Sequence, residues 1–365
     1  MNILPPGSTI GILGGGQLGR MTALAAARLG YRSHIFCPEM DAPALQVAAG
    51  HTRGDFLDHA ALKKFAEAVD VVTLEWENVP LETLEVLSRR KPVHPNAPVL
   101  RIAQDRVLEK SFARQQGLGT PDFMPVLSVK ELAEAMENFA RPAILKTSRL
   151  GYDGKGQLTI TSDMDAATAW RAMGSEAGII ETFIDFDREI SVIVARRADG
   201  VMATYPVAEN IHINHVLAET RVPARISPAV EHEAKQIAQT LAAALDVVGL
   251  LCVEMFVLKT PNAAGQSVLM NEIAPRPHNS GHWTIDACAC SQFEQLVRAV
   301  CGLPLGPTTP HSRAVMQNIL GDDVQRWPEY LADPTVCLHL YGKTEIRPGR
   351  KMAHMTRLGD KWSEA

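Results

Sequence analysis

The chain has 365 residues, 46% hydrophobic and 21% charged, and at about 150 residues per domain it should hold two or three globular units. Its 36 Lys and Arg against 41 Asp and Glu give a net charge of -5, which offers no basic footprint for a nucleic-acid backbone. The 26 Gly and 23 Pro are ordinary shares that exclude collagen and wholesale disorder. Cys37, Cys252, Cys288, Cys290, Cys301 and Cys337 sit singly among apolar neighbours, as reduced thiols of a cytoplasmic protein do, so no disulfide is predicted. The opening residues lack a basic start and carry Pro5, Pro6 and Gly7 where a signal peptide needs an unbroken apolar stretch, so no export is expected. Asp246 and Glu254 interrupt the most membrane-like stretch, at 241–258, and no spanning segment is predicted.

Residues 9–13 are a short apolar run, 14–19 a glycine turn and 18–29 an alanine-rich helix. Short strands follow at 33–36, 51–53 and 71–74, with helical patterns at 60–68 and 81–89. This alternation predicts a doubly wound parallel sheet of the α/β class. Pro92, Pro95 and Pro98 break the pattern before a helix predicted over 104–116, which sets the first domain at 1–103. Strands at 143–145, 157–161, 178–182, 189–197 and 201–207 lie close together and read as antiparallel α+β structure. After a helix at 229–245, apolar runs at 251–258 and 267–273 flank the turn-forming KTPNAAGQ and predict a hairpin. A Pro-rich passage closes the second domain, 104–310, and strand-like stretches at 314–319 and 335–341 mark a small β-rich C-terminal subdomain, 311–365.

The turn Gly14, Gly15, Gly16, Gln17, Leu18, Gly19 matches GxGxxG between a strand and a helix, where free amides suit a phosphate. A dinucleotide site also wants an acid ending the second strand; Glu39 comes late, behind Pro38, so a substrate phosphate is the preferred ligand. Lys146 ends an apolar strand and is followed by the loop Gly151, Tyr152, Asp153, Gly154, Lys155, Gly156, Gln157, a cation with flexible amides suited to polyphosphate. Glu254 and Glu272 are symmetric about residue 263, inside the hairpin turn, so they should face each other across the ladder. Opposed carboxylates repel, which implies a cation between them, and magnesium fits two carboxylates completed by phosphates and water. The polar stretch from Arg276 through His278 and Asn279 can hold a small planar anion. A zinc reading of His278, His282, Cys288 and Cys290 lacks a recognised ligand spacing.

The QDR at Gln104 to Arg106, the lone Lys146, GYDGKGQ, the ETFI beginning at Glu181 with Glu189 after it, and NEIAPRPHNSGHW together resemble the ATP-grasp superfamily. With GILGGGQLGRM, LEWENVP, ENIHINH and YGKTEIRPGRK, the whole chain is similar to its 5-(carboxyamino)imidazole ribonucleotide synthase family, the ATPase subunits of phosphoribosylaminoimidazole carboxylase. The resemblance implies a purine-biosynthetic ligase that uses ATP, magnesium and bicarbonate to carboxylate 5-aminoimidazole ribonucleotide. It implies ATP phosphates on Arg106, Lys146 and the 151–157 loop, and adenine at Glu181, Thr182, Phe183 and Ile184. Glu189 would take the ribose, His212 and Asn271 would line the pocket, and Glu254 and Glu272 would be the metal ligands. Arg276, His278, Asn279 and Lys155 would serve catalysis around bicarbonate and carboxyphosphate. The ribonucleotide would place its phosphate at Gly15, Gly16, Gln17 and Leu18 and against Lys343 and Arg350, with Glu75 or Glu77, Tyr152, Asp153 and Lys155 completing its pocket. A homodimer and transient contact with a carboxymutase are further expectations. Cys37 and Ala353 depart from the family's usual aspartate and glycine. Against this stand an NAD-dependent oxidoreductase, which leaves the opposed glutamates unexplained, and a non-catalytic nucleotide-binding regulator, which has no need of metal ligands.

Overall fold

A computed structural model describes residues 3–151 and 156–359, so Tyr152, Asp153, Gly154 and Lys155 lie outside the described residues. The chain opens with β1 (Thr9–Leu13), β2 (Arg32–Cys37), β3 (Gly50–Arg53) and β4 (Val71–Leu74), a parallel sheet in the order β3-β2-β1-β4. Parallel neighbours need crossovers, and the helices Gln17–Arg28 and His59–Glu67 supply them. The first buries Gly19, Ala23 and Ala26, small residues that let it lie close to the strands, together with Met21 and Thr22. The second starts at Asp58, whose carboxylate accepts the Ala60 and Ala61 amides at 3.0 Å.

The helix expected over 104–116 is Arg106–Gln115, and a separate short helix, Ala97–Ala103, precedes it. Pro98 sits in the first turn of Ala97–Ala103, where its fixed φ suits a helix start, and Asn96 caps that helix. Asp105 then caps a second one, Arg106–Gln115, by accepting the Val107 and Leu108 amides, so Gln104 and Asp105 form the break between them.

Next come β5 (Phe123–Val126), β6 (Ala143–Thr147), β7 (Gln157–Ile160) and β8 (Gly178–Thr182), antiparallel in the order β5-β8-β6-β7. The remaining strands are β9 (Phe186–Arg196), β10 (Met202–Thr204), β11 (Ala208–Ile213), β12 (Val216–Val222), β13 (Gly249–Leu258), β14 (Val268–Ala274), β15 (Ala314–Leu320), β16 (Val336–Leu340) and β17 (Lys351–Leu358). They form one sheet, β14-β13-β9-β11-β12-β15-β17-β16, with β10 beside β9. The strand expected over 201–207 stops at Thr204, because Pro206 cannot donate to a ladder, and the chain re-enters the sheet at Ala208. The C-terminal strands join the large sheet through β12 and β15.

A single core runs from Ile10, Ile12 and Ala23 through Ile193 and Leu250 to Trp283, Val297 and Val300. It fuses the parallel sheet to the large one, with helix Gln292–Val300 lying against Gln17–Arg28. At about 1.5–3 kcal/mol for each large apolar side chain removed from water, this shared core stabilises the junction between them. The β5–β8 sheet has its own core of Leu132, Leu145, Ile160 and Ile180. Among the described residues no helix is long and apolar enough to cross a membrane.

Candidate active site

The glycine turn leaves β1 with Gly14 at φ +105, a conformation L side chains avoid, and a Cβ at Gly15 would stand 2.9 Å from Cys37 Sγ. Gly16 precedes the helix and has no side chain to cap it. The cap comes from the end of β4, where the Glu75 carboxylate accepts the Gly16 amide and, at 2.6 Å, the Gly19 amide. Burial raises the pKa of Glu75, opposed by those two amides and by Arg276 and Lys343. The Lys343 ammonium donates to the Lys351 carbonyl at 2.6 Å, and desolvation, then Arg350, lowers its pKa to about 8.

Two residues beyond Glu75, Glu77 grips Arg276 through both Nε and Nη2, the latter at 2.6 Å. Burial favours the neutral acid, but Arg276 outweighs it and holds Glu77 below the usual carboxylate range. Arg276 Nη1 donates to the Pro277 carbonyl at 3.0 Å. A guanidinium carries five N–H donors, so these three bonds leave two for a ligand.

Glu254 and Glu272 stand directly opposite each other on β13 and β14. Glu254 pairs with His278 Nε2 and Glu272 with Arg106 Nη1, each at 2.9 Å. Burial works against the Glu272 charge, yet Arg106 and Lys146 bring its pKa down to about 2. Burial likewise opposes the His278 charge, and Cys252 and Glu254 push its pKa up to about 10. Asn271 Oδ1 and Arg106 Nε are buried without a partner beside this pair. An orphan oxygen next to two opposed carboxylates fits a divalent cation and its phosphates, although among the described residues no three His, Cys, Asp or Glu are grouped to hold a metal by themselves.

On the nucleotide side, Lys146 from β6 meets Glu181 from β8 at 2.8 Å, and Lys110 reaches Glu181 at 3.4 Å and the Asn271 carbonyl at 2.8 Å. Burial raises the Glu181 pKa, but Lys110 and Lys146 bring it below the ordinary value. Glu181 therefore faces inward, while Phe183 is exposed and Thr182 and Ile184 are partly so. Glu189 pairs with His212, whose pKa it raises against the effect of burial. Gly151 accepts from Arg106 Nη2 at 3.2 Å, the Gly156 carbonyl accepts the Thr147 amide at 2.7 Å, and Gln157 meets His215 at 3.2 Å.

Three chain segments, 7–104, 111–293 and 314–365, match the ribonucleotide synthetase preATP-grasp domain, the ATP-grasp domain and the phosphoribosylaminoimidazole carboxylase C-terminal domain, respectively. An N5-carboxyaminoimidazole ribonucleotide synthase of Brucella melitensis is 47% identical over 97% of this chain and 97% of its own. The chain belongs to the N5-carboxyaminoimidazole ribonucleotide synthase family. The synthetase solved as an ADP complex aligns with a TM-score of 0.94 at 41% identity, covering 98% of this chain and 94% of that one. The Aspergillus clavatus synthase solved with ADP and 5-aminoimidazole ribonucleotide aligns at 0.89 and 31% identity, covering 97% and 94%. The bifunctional purine synthesis protein purC/E of Dictyostelium discoideum is 45% identical over 97% of this chain, which spans 37% of that longer protein.

In this ATP-grasp ligase several of the residues singled out by sequence act on one another as charges. Lys343 and Arg276 act on Glu75, Arg276 and Glu272 on Glu77, and Arg106, Lys146 and His278 on Glu272. Asn279 exchanges two hydrogen bonds, at 3.0 and 2.8 Å, with Asn318 on β15. Arg350 lies on the outer rim, donating to the Glu345 carbonyl at 2.7 Å. Sequence reasoning missed Lys110, Asn318 and Gln292, whose amide clamps the His278 backbone at 2.9 and 2.7 Å. Lys110 lies four residues after Arg106 on one helix, a spacing that was available as a signal.

Proposed function

We propose that the chain converts ATP, bicarbonate and 5-aminoimidazole ribonucleotide into ADP, phosphate and N5-carboxyaminoimidazole ribonucleotide. The observation that carries this reading is the set of contacts that joins the glycine turn to Glu75, Arg276 to Glu77, and Arg106 to one of the two opposed glutamates. It offers an anion pocket, a planar-anion clamp and a polyphosphate site in that order. ATP phosphates go to Arg106, Lys146 and the 151–157 loop, with Glu181 to Ile184, Glu189, His212 and Asn271 around the nucleoside. Glu254 and Glu272 would hold magnesium, which when bound supplies positive charge to the transferred phosphoryl group.

Bicarbonate is a poor electrophile because its leaving group would be hydroxide, and phosphoryl transfer from ATP replaces that with phosphate. The two free donors of Arg276 hold the planar anion, and Glu77 fixes the guanidinium that presents them. His278 and Lys155 contribute charge to the same step, and Asn279 shapes the loop through Asn318. The ribonucleotide phosphate goes to the turn from Gly15 to Leu18, where Gly16 already donates to Glu75 and the Gln17 and Leu18 amides have no acceptor within their helix, together with Lys343 and Arg350. Its amine then attacks the activated carboxyl carbon, expelling phosphate. Tyr152, Asp153 and Lys155, which lie outside the described residues, would contribute contacts to the ribonucleotide. The carbamate product is labile, which gives reason for a homodimer to meet a carboxymutase transiently in the cytoplasm.

The test measures ADP release with bicarbonate alone, ribonucleotide alone and both, and follows isotopically labelled bicarbonate into the ribonucleotide. The expected result is full turnover and label transfer only with both substrates. ADP release without label transfer at saturating substrates overturns the reading.

A further inference from the structure

Behind Lys343 lies a group of polar side chains that this function does not use. His354 on β17 is fully buried, as are Tyr341 and His282 to within 1%. His354 stacks on His339, its partner in the β16–β17 ladder, with ring centres 4.5 Å apart and planes 11° from parallel, and it meets His282 at 4.7 Å. His339 is anchored by both oxygens of Asp286 at 3.0 Å. Two buried imidazoles with a half-buried third are an expensive way to fill space that phenylalanine would fill without cost, and His354 Nε2 is left without a partner. Its other nitrogen, Nδ1, meets the Tyr341 hydroxyl at 2.9 Å. The Tyr341 ring in turn lies 5.6 Å from the Lys343 ammonium. Between them the Gly342 carbonyl accepts from Gln46 at 2.7 Å, which docks this segment on the parallel sheet beside the glycine turn.

From this geometry we propose that His354 and Tyr341 are positioning residues for Lys343. The hydrogen bond between them fixes the tyrosine ring under the ammonium, and so directs Lys343 at the substrate phosphate. The stack of His339 on His354, held by Asp286, stops the His354 ring from turning away. On the other side, Gln292 joins His282 Nδ1, at 3.2 Å, to the His278 carbonyl, so the same core also braces the bicarbonate loop. The proposal rests on the reading that Lys343 holds the ribonucleotide phosphate.

The experiment is steady-state kinetics of the full-length enzyme with each substrate varied, on Tyr341→Phe, His354→Phe, the double variant, His354→Asn and Lys343→Ala. Asparagine keeps a polar atom where Nδ1 stood and phenylalanine does not. Loss of one buried hydrogen bond should raise the Michaelis constant for the ribonucleotide about fivefold in Tyr341→Phe and in His354→Phe. The double variant should be no worse than either single, His354→Asn should return toward wild type, and the constant for ATP should stay within about twofold throughout. An unchanged ribonucleotide constant in Tyr341→Phe, while Lys343→Ala raises it, overturns the positioning role alone. An unchanged constant in Lys343→Ala overturns the phosphate reading and this proposal with it. Equal increases for ATP and ribonucleotide show general loosening and also overturn it. If His354→Phe does not accumulate as folded protein, Tyr341→Phe and His354→Asn carry the same test.

Discussion

On the nucleotide side of the cleft, Lys146 and Arg106 are held by Glu181 and Glu272, all within the segment that matches the ATP-grasp domain or just ahead of it. On the side of bicarbonate and the ribonucleotide, Arg276 is held by Glu77 and Glu75 caps the helix after the glycine turn, and both carboxylates lie just past β4 of the parallel sheet. The nucleotide half is thus assembled from the helix Arg106–Gln115 together with β6, β8 and β14, whereas the other half needs the parallel sheet and the large sheet to share a core. Substitutions on the first side should damage chemistry with little loss of fold. Substitutions on the second should loosen the junction and the substrate site together.

The largest expected effect is on the nucleotide side. Glu272→Gln should lower turnover by about a thousandfold, or about 4 kcal/mol of transition-state stabilisation, with an unchanged circular-dichroism spectrum. A variant retaining a tenth of wild-type turnover would rule out the metal role. Across the cleft, Glu77→Gln leaves Arg276 buried without its partner, and chemical denaturation should show a loss of about 3 kcal/mol. A midpoint equal to wild type would mean that the two sheets do not depend on this pair.

Legibility followed the same division. The Glu254 and Glu272 pairing could be read from the sequence to within one residue, because an antiparallel ladder runs symmetrically about its turn; Met255 pairs with Met270, and a bulge between Glu254 and Met255 then sets Glu254 opposite Glu272 and not Asn271. The bond from Glu77 to Arg276 spans 199 residues, and no local period records it. Glu75 or Glu77 was expected at the substrate; the Glu75 carboxylate also caps the helix that the glycine turn begins, a role visible only once β4 lies beside β1. The parallel sheet was readable because the apolar runs of β1, β4 and the end of β2 alternate with helical patterns, although β3 is the polar GHTR. Strand β17 was not, since RKMAHMTRL mixes charge with buried His354 and Thr356 that are accommodated only inside a finished sheet.

The two sides should also part in their response to pH. Desolvation lowers the Lys343 pKa to about 8, so its charge is present below that pH and lost above it. Arg106 has its pKa raised by Glu272 and Glu109 against the effect of burial and stays charged throughout. The value of kcat/KM for the ribonucleotide should therefore decline as pH rises through about 8, while that for ATP holds. Parallel profiles for the two substrates would contradict the assignment of Lys343.

The smallest effect offers the sharpest control, because it compares two like caps in different places. Asp58 and Asp105 each accept two amides at a helix start, at 3.0 Å for Asp58 and 3.0 and 3.2 Å for Asp105. Replacing either with alanine should cost about 1 kcal/mol of stability, the usual worth of an N-cap. Asp58 begins a helix that only covers the parallel sheet, so Asp58→Ala should leave the kinetics unchanged. The helix begun by Asp105 carries Arg106 at its first position and Lys110 one turn on, and Asp105 also holds Arg149 at 3.2 Å. Fraying that turn displaces Arg106 from Glu272, so Asp105→Ala should raise the Michaelis constant for ATP severalfold while matching Asp58→Ala in its denaturation midpoint. Equal kinetics in the two variants would mean that Glu272 alone holds Arg106, and that the nucleotide half owes its order to the sheet and not to the helix.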